Sequence, residues 1–112
     1  MTLTLTETES RKTVTLNHEH LIQSNAGTMR EFLGERLAPG DQVVIDLSKV
    51  LFMDSSGLGA LVSGLKRVGA TGTVTVVAPH RAVRTLFQLT RMDTVFTVVD
   101  RVDDAQAGGP KP

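Results

Sequence analysis

A chain of 112 residues with 12 Lys plus Arg against 12 Asp plus Glu has no net charge. It offers no global field to draw in a phosphate backbone, so nucleic acid is not an expected partner. There is no cysteine, which excludes a disulfide framework, a thiolate metal site and a thiol nucleophile. Aromatic residues are only 4%. Aliphatic side chains must therefore fill the core, and stacking platforms for bases or sugars are not expected. The length points to one domain around one hydrophobic core. The opening run Met1-Thr2-Leu3-Thr4-Leu5-Thr6-Glu7 lacks a basic segment followed by a long apolar one, so it does not read as a signal peptide. No stretch approaches the length of a membrane helix, so membrane insertion is not expected. A domain that needs no disulfide fits the cytoplasm.

Thr2 to Thr6 alternates Thr and Leu with a period of two. This predicts a half-buried strand with Leu3 and Leu5 inward. Lys12 to Leu16 repeats the pattern with Val14 and Leu16 inward, and is expected to pair antiparallel with the first strand. Asn17 to Ser24 reads as a loop holding His18-Glu19-His20. Asn25 is placed to cap the first helix. Ala26, Met29, Phe32, Leu33 and Leu37 fall on one face of that helix and Arg30, Glu31, Glu35 and Arg36 on the other, until Pro39-Gly40 ends it. Val43 to Leu47 is apolar except Asp46, as expected of a central strand covered on both faces. Lys49 to Met53 connects it to Asp54-Ser55-Ser56-Gly57-Leu58-Gly59. Ser56 to Val68 is the second helix, made thin in its early turns by Gly57, Gly59, Ala60 and Gly64.

Gly69 to Gly72 turns the chain into a Val- and Thr-rich strand, Thr73 to Ala78. Pro79 is expected to start a third helix, with Val83, Leu86, Phe87 and Leu89 on its apolar side and Arg81, Arg84 and Arg91 on its basic side. Val95 to Val99 reads as a last short strand. Residues 103–112 have almost nothing to bury and are expected to be a disordered tail, in which 103–107 could form one helical turn. The domain is thus expected to span residues 1–102. Strands and helices alternate after an opening hairpin, which predicts an α/β domain with one mixed sheet.

Enzyme motifs fail on inspection. Gly59 to Lys66 has the first spacing of a phosphate loop, but Leu65 stands where lysine is required and the run lies in a helix pattern. Gly57-Leu58-Gly59 opens a dinucleotide pattern that breaks at Val62. A serine nucleophile would need a base. The candidates are His18, His20 and His80, which no spacing places near Ser55, and the G-x-S-x-G elbow is absent. His18 and His20 could share a strand face and hold a metal, with Glu19 turned away; solvated loop residues are the simpler reading. Catalytic residues, a metal site and a cofactor are not expected.

The serines are different. Asp54, Ser55 and Ser56 are all favoured caps, and one of them is expected to cap the second helix. The residues after them are glycine and leucine, so the helix start should be open to a partner. A phosphate there would be favoured by the helix N-terminus. It would add a charge of about −1.5 to −2 without unfolding anything, and would repel a partner that packs apolar or acidic groups on the same patch.

Val43 to Val68, with Ile45-Asp46-Leu47 and Phe52-Met53-Asp54-Ser55-Ser56-Gly57-Leu58-Gly59, resembles the core signature of STAS domains. Among these it looks most like the anti-sigma-factor antagonists of bacterial partner-switching systems. The resemblance covers nearly the whole chain, including Pro79-His80-Arg81-Ala82-Val83 and Leu86-Phe87. It implies a STAS fold: a mixed central sheet of four to five strands with three to four helices packed on it. It implies that the unphosphorylated protein binds an anti-sigma factor, a serine kinase of the histidine-kinase-like ATPase type, and so frees a sigma factor. The kinase would phosphorylate the first serine of the motif, Ser55, and abolish binding; a metal-dependent serine phosphatase would restore it. The implied contact surface comprises Asp54, Ser55, Ser56, Gly57 and Leu58, with Glu19 from the preceding loop. The protein would be ligand and substrate, not catalyst. The other use the resemblance allows is a non-switching subunit of a lipid-transport ATPase or a stressosome-like complex. One departure stands out. Family members usually carry G-E-[LI]-D before the first helix, whereas here the glycine is missing and Ile22 falls where the acid is expected. That change bears on the choice of partner. The C-terminal helix of many members is also shortened or lost.

Overall fold

The computed structural model describes residues 2–103. The two alternating segments form β1 (Thr2–Glu7) and β2 (Lys12–Asn17), paired antiparallel with Leu3 opposite Leu16 and Leu5 opposite Val14. A two-residue strand β3 (His20–Leu21) follows, then α1 (Gln23–Arg36), β4 (Gln42–Asp46), a second short strand β5 (Phe52–Met53), α2 (Ser55–Val68), β6 (Thr73–Val77), α3 (Arg81–Leu89) and β7 (Thr97–Val99). The main sheet has the order β1-β2-β4-β6-β7, and every pair after the opening hairpin is parallel. The crossovers through α1, α2 and α3 step in one direction across the sheet. With a common hand, that places all three helices on one face.

Burial agrees with a two-layer domain. Ala26, Met29, Leu33 and Leu37 of α1, Leu58, Ala60, Leu61 and Val68 of α2, and Val83 and Phe87 of α3 share one core cluster with Val14, Leu16, Val43, Ile45 and Val76 of the sheet. Each fully buried Val, Leu, Ile, Met or Phe side chain among them contributes about 1.5–3 kcal/mol. The two longer helices touch closely because Gly64 leaves room: a Cβ there would stand 3.1 Å from Leu33 Cδ1. β4 is buried on both faces as expected, and the cover of its second face includes the helical residues 102–103. Val44 and Val77 are covered there by Val99 and Val102.

The sequence reading needs four corrections. Asn25 is not the cap of α1; the helix begins at Gln23 after Ile22. Asn25 sits one turn in, where its Oδ1 accepts from the Ile22 amide (2.8 Å) and its Nδ2 donates to the His20 carbonyl (2.9 Å). The expected loop from Asn17 and the expected connection from Lys49 each contain a short strand, and the two pair parallel. The third helix starts at Arg81 behind His80, not at Pro79. Its Leu89 lies 78% exposed, outside the core. The last strand begins at Thr97; Val95 is exposed, while Phe96 is buried and meets Phe87 edge to face at 5.6 Å. Apart from Asp103, the expected tail lies outside the described residues.

At the end of the sheet where β4 begins, Asp41 ties three segments together. It accepts from the Ala38 amide (2.8 Å) and pairs with Lys12 Nζ (2.8 Å), which also donates to the Arg36 carbonyl. The Lys12 hydrogen bond holds the Asp41 carboxyl below its ordinary range. Folding thus favours the carboxylate. Its stabilisation is complete above the unfolded value, about pH 4, and is lost as pH falls through the lower folded value. Asp41→Asn is expected to cost about 1 kcal/mol at neutral pH. The difference from wild type should shrink as pH falls from about 4 toward 2, a trend that urea unfolding at a series of pH values will reveal.

Candidate functional site

The second helix starts on an aspartate that is capped into place by its own chemistry. Asp54 is the N-cap of α2, and its Oδ1 accepts from the Gly57 amide at 3.0 Å. Its other oxygen, Oδ2, accepts from the amide of Gln23 at 3.1 Å. Gln23 is the first residue of α1, and the side chain of the preceding Ile22 makes no cap bond. One carboxylate therefore serves the starts of two helices, each of which presents amides without intrahelical partners.

The loop before α1 is bound to the same junction through its backbone. The Glu19 carbonyl accepts from the amides of Leu51 (2.7 Å) and Phe52 (3.3 Å), and the Leu21 carbonyl accepts from the amide of Asp54 (3.3 Å). Gly57 packs directly beneath that strand. A Cβ on Gly57 would stand 2.3 Å from the Leu21 carbonyl oxygen and 2.8 Å from Met53 Cγ, so no larger residue fits without moving backbone. The result is a rigid platform in which β3, β5 and the two helix starts are mutually fixed.

Ser55 projects from this platform. It is the first residue of α2 and is exposed, while Asp54 and Ser56 are half-buried. Asp54 occupies the Gly57 amide, which leaves the amides of Ser55 and Ser56 at the open end of the helix. Beside them, Leu51 and Phe52 are 47% and 53% exposed. A cleft of about 480 Å³ adjoins Leu51, with Asn17, His18, Glu19, Ser48, Lys49 and His80 as its other lining residues.

The family comparison agrees with this architecture over almost its full length. The sequence profile of the STAS domain matches residues 3–105. The chain belongs to the STAS domain family. This STAS domain superimposes on an anti-sigma factor antagonist from Mycobacterium paratuberculosis with a TM-score of 0.80 and 25% identity, covering 96% of this chain and 92% of that one. It has the same fold as a candidate anti-sigma factor antagonist from Thermotoga maritima (TM-score 0.76, 22% identity, 95% and 92% covered). It also shares its fold with the anti-sigma factor antagonist SpoIIAA in its unphosphorylated form (TM-score 0.68, 17% identity, 96% of both chains).

Within the STAS domain, the residues singled out from sequence divide by depth. Ser55 and Glu19 are exposed, and Asp54 and Ser56 are half-buried at the same end of the sheet. Gly57 and Leu58 are buried and support the site from beneath. The histidines do not converge on the serines. His80 Nε2 lies 2.8 Å from the Ser48 carbonyl, and His18 packs edge to face on His20 at 5.2 Å. No group of three or more His, Cys, Asp or Glu suited to a metal occurs among the described residues. Leu51 and Phe52 are the surface residues that sequence reading missed. They sat in an assumed connection, and two adjacent apolar residues carry no periodic signal of exposure.

Removing the Asp54 carboxylate should loosen both helix starts at once. Asp54→Ala is expected to lose about 2 kcal/mol in urea unfolding, near 1 kcal/mol for each cap. Asp54→Asn keeps one acceptor oxygen and should lose less.

Proposed function

We propose that this STAS domain is an anti-sigma factor antagonist whose binding is switched by phosphorylation of Ser55. The observation that carries the reading is the position of Ser55. Its side chain is exposed at the first position of α2, next to the exposed Leu51 and Phe52, on a platform that Asp54 and Gly57 hold rigid. An apolar patch of this kind suits a protein partner. A hydroxyl at its rim can be modified without disturbing the core.

The partner would be an anti-sigma factor that is also a serine kinase of the histidine-kinase-like ATPase type. It would rest on Leu51, Phe52, Ser55 and Ser56, with Glu19 at the far side of the cleft. A phosphate on Ser55 would find the free amides of the helix start and so cost the fold little. The same charge, about −1.5 to −2, would oppose a partner surface that must be desolvated against it. A metal-dependent serine phosphatase would reset the switch. Both enzymes act in the cytoplasm in this reading. No helix among the described residues is long and apolar enough to cross a membrane.

Incubation with the kinase and ATP, followed by intact-mass measurement, tests the assignment. One phosphate is expected on wild type and none on Ser55→Ala. Ser55→Asp should weaken kinase binding by about tenfold or more, equivalent to about 1.4 kcal/mol, with almost no change in the thermal midpoint. A phosphate that persists in Ser55→Ala would locate the modification elsewhere. A wild-type chain that binds its partner but is never phosphorylated would point instead to a constitutive subunit of a larger complex.

A further inference from the structure

β1 lies at one edge of the sheet, and the direction of its unpaired backbone groups follows from the hairpin. The Thr8 amide donates to the Arg11 carbonyl at 2.8 Å, which makes Thr8 and Arg11 a hydrogen-bonded pair. Bonded and non-bonded pairs alternate along an antiparallel ladder. Counting back along the register, Thr6, Thr4 and Thr2 turn their amides and carbonyls toward Thr13, Thr15 and Asn17. Glu7, Leu5 and Leu3 turn theirs outward.

Exposed edges are normally blunted by proline, lysine, a bulge or short length. β1 has none of these. It is six residues long, its register with β2 is unbroken, and its one charge is the terminal Glu7. The opposite edge, β7, is three residues long.

The strand also reads the same in both directions about Thr4: Thr2-Leu3-Thr4-Leu5-Thr6. A second copy can therefore lie antiparallel with Thr4 on a twofold axis, Leu3 opposite Leu5 of that copy and Thr2 opposite its Thr6. The outward groups then meet. Each Leu3 amide donates to a Leu5 carbonyl, and each Leu5 amide donates to a Leu3 carbonyl. Leu3 and Leu5 are half-buried and pack on the rim of the core. A twofold perpendicular to the sheet keeps both on the helix side, so the core continues across the junction while threonines pair on the other face. No charge lies between residues 2 and 6 to oppose its twin.

We propose that β1 is a self-recognition edge, through which two copies of this chain join by twofold antiparallel pairing centred on Thr4. The interface is isologous and closed, since it uses up the edge on both copies. The twofold turns the two Ser55 ends in opposite directions, so both remain open to a partner.

Cysteine cross-linking tests the register directly, because the chain has no cysteine of its own. Thr4 and Thr6 are both exposed, so either substitution should leave the fold intact, with circular dichroism as the check. In the paired state Thr4 faces its own twin as a non-bonded pair, with Cα atoms about 4.5 Å apart, within disulfide reach. Position 6 lies about 14 Å from its twin, four residues along the strand. Under mild oxidation Thr4→Cys is expected to form covalent dimer at least about tenfold faster than Thr6→Cys. Wild type should sediment as a monomer–dimer equilibrium that Thr4→Lys shifts to monomer, because two lysines would meet on the axis. Equal cross-linking of the two cysteine variants, or a wild-type chain that stays monomeric at every concentration, would overturn the proposal.

Discussion

The carboxylate of Asp54 is the point on which the functional end of this domain depends. It sits between two helix starts that run side by side, and it gives one oxygen to each: Oδ1 to Gly57 of α2 and Oδ2 to Gln23 of α1. Helix N-termini carry unpaired amides and a partial positive charge, so a single anion placed between two of them is attracted by both. The arrangement also explains why α1 can begin after an isoleucine. Ile22 has no side-chain acceptor, and the acid expected before the first helix is missing from the local sequence. The missing acceptor is supplied from the other side of the junction, 31 residues further along the chain.

Gly57 completes the same arrangement by steric means. Because it has no side chain, the first turn of α2 lies against the Leu21 carbonyl, and the amide of Asp54 reaches that carbonyl. A cap bond and a close approach thus fix the serines from two directions. Ser55 inherits a defined position without contributing to the packing. That separation lets a residue change its charge while the domain keeps its stability. A modification at Gly57 or Leu58, both buried, would have no such freedom.

The parts of the fold that the sequence made legible are those with long, clean periods. Alternation over five residues placed β1 and β2 and their inward leucines, and helical spacing placed the buried faces of α1 and α2. What escaped was short or non-local. β3 and β5 have two residues each and pair across about thirty positions, so neither shows a pattern by itself. Asn25 has the side chain of a cap, but it acts from one turn inside the helix. Residue preference cannot separate those positions when the bond partner is a backbone amide three residues back. Leu89 fits an apolar face by spacing, yet α3 ends there and the last turn has nothing opposite it. The serine junction itself was legible as a helix start. Which of its three candidate residues caps the helix was decided by the geometry of Asp54, and the exposed Leu51 and Phe52 emerged only from the fold.

The strand order has a practical consequence for anything joined to this domain. β1 runs antiparallel to the rest, so Thr2 stands beside Asn17, at the sheet end where β4 and β6 finish. β7 also finishes there, at Val99. Thr2 and the end of β7 therefore lie on the side that carries Ser55, at opposite edges of a sheet whose five strands span about 19 Å between the outer two. A fluorescent label or an affinity tag joined at the start of β1 would stand at the same end of the sheet as the serine platform. A fusion there needs a linker long enough to clear the platform, and a probe there is well positioned to report on a partner that arrives.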